Sequence, residues 1–398
     1  MTLVAGAPLV GPRPFADFVA LDAETIRSRT WAAKRALGRR TVILGHHYQR
    51  ESIIEFADFR GDSFKLSQLA AAQAEARHIV FCGVHFMAES ADVLAQPHQT
   101  VILPDVKAGC SMADMASLDD VEDAWDQLVA GVPGGAGSGD TFTPITYMNS
   151  SAALKAFCGA RGGVVCTSSN ARAALEWAWA RKPRVLFFPD QHLGRNTAWA
   201  MGVPLEEMAE WIWRAPNPRQ VNARAFAPST KLVLWRGFCS VHTKFDKKQI
   251  DEVRAEDPAV RVLVHPECPF EVVRNADLVG STEFIIDQVR EARPGASWAI
   301  GTEIHLMHRL ALEHPGQKIR SLQKNVCPCA TMNRIDPAHL LWALENLSEG
   351  HVVNPVRVPD AVKRDARLAL DRMLALPPAS NVGPMRDAAA NAAANAKD

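Results

Sequence analysis

The sequence predicts an α/β protein made of three similar units in series, each with a short parallel sheet. Its 398 residues are 47% apolar, which is enough to bury more than one hydrophobic core. Short β-branched runs alternate with Ala- and Leu-rich helical stretches, a pattern typical of parallel strands joined by crossover helices. This order recurs three times: an apolar strand runs into a polar cluster, and the unit closes near a cysteine.

The elements follow one another in a regular order. Residues 22–38 have helical spacing and end at Gly38, which predicts a capped helix before the first strand. The predicted strands lie at 41–48, 78–86 and 100–105 in the first unit, at 144–149, 163–168, 184–190 and 232–239 in the second, and at 261–267, 278–282 and 297–303 in the third.

These elements divide the chain into five predicted parts. They are an N-terminal helical extension (1–37), three α/β domains (38–125, 126–250 and 251–375) and a tail (376–398). The low complexity of the tail predicts disorder, and the Gly- and Ser-rich segment 132–144 predicts a flexible surface loop in the second domain. The GGAGSG stretch in that loop precedes a strand and lacks the Gly-Lys-Ser/Thr that a phosphate loop needs.

Charge and cysteine usage narrow the function classes. Lys plus Arg equals Asp plus Glu at 44 each, and no long basic run occurs, so neither nucleic acid nor a membrane surface is an expected partner. The N-terminus lacks a basic start followed by a long apolar run, and no stretch of eighteen apolar residues is present. The eight cysteines do not have the spacing of a small disulfide scaffold, which favours reduced thiols and a cytoplasmic protein.

Candidate site residues follow the apolar strands. Ligands of parallel sheets bind at the carboxyl ends of strands, so the clusters HHY, YMNSS and HPE are candidate sites. If three units pack around one axis, these clusters and the cysteines at 110, 239 and 327/329 converge on one cavity. Thiolates suit iron-sulfur clusters and zinc, and no Cys-x2-Cys pair indicates a zinc ribbon or a ferredoxin. By contrast, Cys82, Cys158 and Cys166 lie in apolar or helical contexts that favour packing.

Other side chains in these clusters suit proton transfer and anion binding. The chain has only two tyrosines, Tyr48 and Tyr147, and both follow strands, which favours a role for the hydroxyl. Candidate general acids and bases are Glu267, His46, His242 and His265. Candidate neutral donors for carboxylate or phosphate oxygens are Ser63, Asn149, Ser151, Ser168 and Thr282.

At this point the chain resembles the quinolinate synthase family from about residue 38 to 345. The pieces that carry the resemblance are LGHHYQRESIIEFADFRGDS, FCGVHFMAESA, PDVKAGCSMAD, YMNSSAALKA, CTSSNA, FFPDQHLGRN, WRGFCSVH, HPECP, VGST and CPCATMNR. The resemblance implies three similar three-layer αβα domains around a pseudo-threefold axis, with a 4Fe-4S cluster at the centre. It further implies condensation of iminosuccinate with dihydroxyacetone phosphate to quinolinate, and functional coupling to an L-aspartate oxidase.

The resemblance also assigns roles to residues of this chain. It implies Cys110, Cys239 and Cys329 as cluster ligands, with Cys327 as the alternative third ligand. The implied catalytic residues are Tyr48, Tyr147, His242 and Glu267, and the implied substrate-binding residues are His46, Ser63, Tyr147, Asn149, Ser168, His265, Glu267 and Thr282. An iron without a protein ligand would act as a Lewis acid.

Two other functions fit the same residues. One is a zinc- or other metal-dependent lyase or hydrolase with His, Glu and Cys ligands from HHY, HPEC and CPC. The other is a redox-sensing or binding protein in which thiols or a cluster serve signalling. A brown protein on anaerobic purification favours the iron-sulfur enzyme, and turnover of iminosuccinate separates it from the sensor.

Overall fold

The computed structural model describes residues 11–132, 141–324 and 328–377. Among these residues the strands form three sheets, which follow one another along the chain and are interleaved with helices. The predicted α/β fold with three units is therefore confirmed. None of the helices in the described part of the chain has both the length and the apolar stretch needed to cross a membrane.

From residue 11 onward, where the described part of the chain begins, two α-helices precede the first sheet. They are α1 (Ala16–Val19) and α2 (Ala23–Leu37). The Asp22 side chain accepts a hydrogen bond from the Thr25 amide, and Gly38 follows the last turn at φ 56°, a backbone conformation that favours glycine. The capped helix predicted from the sequence is confirmed.

The first sheet includes a strand from the end of the chain, β14 (Pro355–Val356), and has the strand order β14-β4-β3-β1-β2. Its parallel strands are β1 (Thr41–His46), β2 (Phe59–Gly61), β3 (His78–Cys82) and β4 (Thr100–Ile102), connected by α3 (Glu51–Ile54), α4 (Ser63–Ala72) and α5 (His85–Leu94). The helix α6 (Leu118–Gly131) leads towards the second sheet.

The second sheet has the order β6-β5-β7-β9-β8 and is parallel throughout. Its elements are β5 (Phe142–Tyr147), α7 (Ala152–Ala160), β6 (Val164–Cys166), α8 (Ala171–Trp179), β7 (Arg184–Phe188), α9 (Gln191–Ala200), β8 (Met208–Trp211), α10 (Pro218–Val221) and β9 (Leu232–Trp235). Most of the predicted loop 132–144 lies outside the described residues.

The third sheet has the order β11-β10-β12-β13 and is also parallel. Its elements are α11 (Lys247–Glu256), β10 (Arg261–Val264), α12 (Phe270–Asn275), β11 (Leu278–Val279), α13 (Thr282–Glu291), β12 (Ser297–Gly301), α14 (Ile304–Glu313) and β13 (Lys318–Ser321).

The last elements of the chain return to the first two units. They are α15 (Pro337–Ser348), β14 (Pro355–Val356) and α16 (Asp360–Ala375). The helix α15 packs on α2, β14 pairs antiparallel with β4, and α16 packs on α7 and β6. The apolar side of α16 is fully buried at Ala366, Ala369, Leu370 and Met373. The sequence groups these elements with the third domain, and the domain bounds stay a prediction.

Candidate active site

One cavity lies where the three units meet, at the carboxyl ends of their strands. His46 is the last residue of β1, Tyr147 is the last of β5, and His265 directly follows β10. Polar residues cluster there because the carboxyl ends of parallel strands all lie at the same edge of a sheet, and the turns that follow the strands lie along that edge. Each unit therefore contributes one wall.

Every site residue named from the sequence lines this cavity, apart from Ser151 and Cys327. The lining includes His46, Tyr48, Ser63, Cys110, Tyr147, Asn149, Ser168, Cys239, His242, His265, Glu267, Thr282 and Cys329. Ser151 instead caps α7 by accepting a hydrogen bond from the Leu154 amide. Cys327 lies outside the described residues. Convergence on one cavity is thus observed, whereas the role of each residue stays a prediction.

The three lining cysteines occupy equivalent turns. Cys110, Cys239 and Cys329 each stand three residues before the start of a short 3-10 helix: Ala113–Met115, His242–Lys244 and Met332–Arg334. In each turn the cysteine carbonyl accepts a hydrogen bond from the amide four residues later, at 3.1, 3.1 and 3.0 Å. The threefold repeat seen in the order of elements therefore extends to the backbone around each cysteine.

Burial keeps two of these thiols protonated in the bare protein. It raises the pKa of Cys110 to about 12, although backbone amides of Ala113 and Met112 act in the opposite direction. It also raises the pKa of Cys239 well above the usual range, helped by the charge of Glu267. A thiolate at either position needs a compensating positive charge, because a buried unpaired anion is unfavourable.

Glu267 is the centre of a buried hydrogen-bond network that joins the second and third units. The Tyr147 hydroxyl donates to Glu267 Oε1, and His242 Nδ1 lies 2.7 Å from Oε2. The His265 ring stacks on His242 with ring centroids 4.5 Å apart. Burial alone would raise the pKa of Glu267, but its interactions with His242 and His265 and the hydrogen bond from Tyr147 lower the pKa below its usual range. Glu267 is therefore a carboxylate at neutral pH.

His46 and His265 share one geometry in the first and third units. The Nδ1 of each ring accepts a hydrogen bond from the amide two residues later, Tyr48 at 3.1 Å and Glu267 at 3.3 Å. Burial is the largest cause that lowers the pKa of both rings to about 3, so both are neutral at physiological pH. With Nδ1 an acceptor, the proton sits on Nε2, which makes each ring a neutral donor.

Tyr48 connects the first unit to the third. Its hydroxyl lies 3.1 Å from Thr282 Oγ1 and 3.0 Å from Thr302 Oγ1. Its ring packs edge-on against His46, with centroids 4.8 Å apart. Burial raises the pKa of Tyr48 well above its usual range, and the charge of Glu267 acts in the same direction. The hydroxyl is therefore held in place and protonated.

Four residues adjacent in sequence to the site form a three-unit junction, which the sequence did not predict. His47 Nε2 lies 3.0 Å from Glu283 Oε1, the Asp62 amide donates to the same oxygen at 3.3 Å, and Ser169 donates to Asp62 Oδ2 at 2.7 Å. Asp62 also lines the cavity. Each of the four stands next to a named site residue: His46, Ser63, Ser168 or Thr282. Their position next to named site residues is the feature of the sequence that could have indicated them.

The fold and the site together define an α/β enzyme with one buried centre shared by three repeated units. The family model NadA, described as quinolinate synthetase A protein, matches residues 30–375. The chain is 52% identical over 360 residues to a quinolinate synthase of Geobacillus thermodenitrificans, covering 90% of this chain and 96% of that protein. It is 55% identical over 363 residues to one of Acidobacterium capsulatum (90% and 94%), and 56% identical over 360 residues to one of Nocardioides (88% and 89%). The chain belongs to the quinolinate synthase family.

Proposed function

We propose that this chain condenses iminosuccinate with dihydroxyacetone phosphate to quinolinate, with loss of phosphate and water, as a transferase of NAD biosynthesis in the cytoplasm. The names of its relatives support the product. The observation that carries the proposal is the convergence of three equivalent cysteine turns and the Glu267 network on one cavity. An L-aspartate oxidase is the partner expected to supply the imine.

We propose Cys110, Cys239 and Cys329 as the ligands of a 4Fe-4S cluster. Three thiols of this kind suit iron, and the buried thiolates gain the positive charge that they otherwise lack. Backbone amides directed at the sulfurs of Cys110 and Cys239 further favour the thiolate. When bound, such a cluster supplies an iron without a protein ligand, which acts as a Lewis acid towards a substrate oxygen.

The equivalence of the three turns favours Cys329 over Cys327 as the third ligand. Cys329, like Cys110 and Cys239, stands three residues before a 3-10 helix. Substituting each of the two with serine and measuring iron after anaerobic reconstitution tests this choice. We expect Cys329→Ser to lose the cluster and Cys327→Ser to keep it, and full iron content in Cys329→Ser contradicts the assignment.

Neutral donors hold the two anionic substrates in this proposal. The lining includes no Arg or Lys side chain among the described residues. The Nε2–H groups of His46 and His265 donate to carboxylate oxygens, because neither ring is charged at neutral pH. Further neutral donors come from Ser63, Asn149, Ser168 and Thr282.

The two tyrosines and Glu267 move protons in this proposal. Carbon–carbon bond formation and dehydration both require a base that removes a proton from carbon and an acid that protonates a leaving hydroxyl. Glu267 is the proposed proton acceptor, and the Tyr147 hydroxyl that donates to it is the proposed proton donor. His242 orients Glu267 through its 2.7 Å contact, and Tyr48 is the second hydroxyl donor.

An anaerobic assay for quinolinate with reconstituted protein tests the function. We expect Glu267→Gln to lose turnover by about 100-fold or more while it keeps its iron, since acid/base groups contribute about 10²–10⁴-fold. The matched control is Glu313→Gln, because Glu313 is exposed on α14. A wild-type rate in Glu267→Gln contradicts its role. Absence of quinolinate from iron-loaded wild-type protein contradicts the function itself.

A further inference from the structure

Three lining side chains form a cluster with the ligand types of a mononuclear metal site. Cys239 Sγ, a ring nitrogen of His242 and a carboxylate oxygen of Glu267 all lie within 4.8 Å of one another. Thiolate, imidazole and carboxylate are the groups that zinc takes in proteins, at about 2.0–2.3 Å from the metal. We propose that these three side chains bind one zinc ion when the chain carries no iron-sulfur cluster.

The backbone brings two of the ligands together before any metal arrives. Cys239 and His242 are three residues apart in one turn, which the Thr243 amide closes by donating to the Cys239 carbonyl at 3.1 Å. Glu267 comes from the third unit, three residues after the end of β10. A Cys-x2-His turn facing a carboxylate supplies three ligands and leaves a fourth tetrahedral position for water, as in open zinc sites.

The surroundings fix the orientation of these ligands. The Tyr147 hydroxyl donates to Glu267 Oε1, and the His265 ring stacks on His242 at 4.5 Å between centroids. Such outer contacts orient metal ligands and raise their affinity. His242 and Glu267 are 1% and 3% exposed, and His242 Nε2 has no hydrogen-bond partner among the described residues. The three ligand side chains are therefore shielded from water and held in place by their neighbours.

Zinc at this position competes with cluster assembly, because Cys239 belongs to both ligand sets. If zinc binds first, Cys239, one of the three thiolates proposed as iron ligands, is already coordinated to zinc when iron is added. This consequence rests on the proposed function, whereas zinc binding itself does not.

Metal binding to the full-length chain prepared without iron tests the proposal. Zn²⁺ is measured by equilibrium dialysis, and Co²⁺ serves as a probe because thiolate ligation gives an intense near-ultraviolet charge-transfer band. We expect one metal per chain with such a band. Cys239→Ser and His242→Ala should each weaken binding by more than about 100-fold, above the effect typical of an outer contact. Cys110→Ser is the matched control and should leave the affinity unchanged.

Three results would overturn the site: no binding by the wild-type chain, unaltered binding by His242→Ala, or loss of binding in Cys110→Ser, which would indicate a site of three thiols. If His242→Ala does not fold, as judged by circular dichroism, Glu267→Gln carries the same expectation. Quinolinate formation is measured separately. Zinc binding without turnover in the iron-loaded protein counts against the proposed function alone, and turnover without zinc binding counts against this site alone.

Discussion

A single methyl group at Gly159 should separate the last helix from the second unit. Gly159 lies inside α7, and a Cβ there would overlap the carbonyl oxygen of Asp365 in α16 and lie 2.8 Å from its carbon. Carbon atoms pack at about 3.5–4.0 Å, so α16 would have to retreat by about 1 Å. Overpacking of this kind costs about 1–3 kcal/mol, against about 1 kcal/mol gained from alanine in a helix.

Because the overlapping atoms belong to the main chain and cannot turn away, we expect the upper end of that cost, about 3 kcal/mol, and therefore a free energy of unfolding about 2 kcal/mol lower in Gly159→Ala. Helix propensity alone predicts an increase of about 1 kcal/mol. Urea denaturation followed by circular dichroism measures the change, and trypsin should cleave more readily at Arg367 and Arg372 in α16. Gly131→Ala at the end of α6 is the control: the atoms nearest to the added Cβ belong to the outer edge of the partly buried Phe226 ring, at 2.6 Å, and this ring can turn away, so the loss should be smaller. An unfolding midpoint at or above that of wild type would refute the close approach of the two helices.

Three further predictions concern residues that line the cavity or lie close to its lining. Burial would raise the pKa of Glu283, but its hydrogen bond with His47 and nearby charges lower the pKa from 4.5 to about 2. The contribution of Glu283 to stability is therefore complete above pH 4.5 and is lost as the pH falls towards 2. The urea midpoint of Glu283→Gln should depend less on pH across that window than the wild-type midpoint does. Tyr48→Phe leaves two threonine hydroxyls without the partner that they share. It should lower the free energy of unfolding by about 1–2 kcal/mol in the same denaturation assay. It should also lower the rate of quinolinate formation in the activity assay. Lys155 is fully buried and donates to the carbonyl of Ser150, which is next to Asn149 in the cavity lining. Lys155→Met should raise the KM for iminosuccinate, the proposed substrate, about tenfold, as loss of one positioning hydrogen bond implies. A wild-type KM would show that the turn keeps its conformation without Lys155.

The features that could be predicted from the sequence are those that depend on short stretches of the chain. His46 and His265 were placed at the cavity because an apolar strand that ends in a polar cluster aims that cluster at the binding edge of a parallel sheet. Cys110 and Cys239 were predicted at the cavity because each predicted unit closes near a cysteine. The resemblance then selected between chemistries that the residues alone left open.

Contacts between residues that are distant in sequence could not be predicted from those local patterns. The return of α16 to α7 depends on the missing side chain of Gly159, which in sequence is indistinguishable from any other glycine in a helix. The three-unit junction was missed for a related reason. Asp62 has the local role of a helix cap, accepting from the Lys65 amide, and nothing nearby in sequence indicates its contact with Ser169 in the next unit.

The order in which the walls are synthesised has a consequence for biogenesis. Two of the three cysteine turns have been made once residue 243 has been added, but the third is made only at residues 329–333, and the helices that tie the end of the chain to the first two units come later still. A chain that ends before residue 329 thus has parts of all three walls but lacks the third cysteine turn. The set of three equivalent turns is complete only once residue 333 has been added, so a fragment that stops short of it lacks one of the three thiols at the cavity.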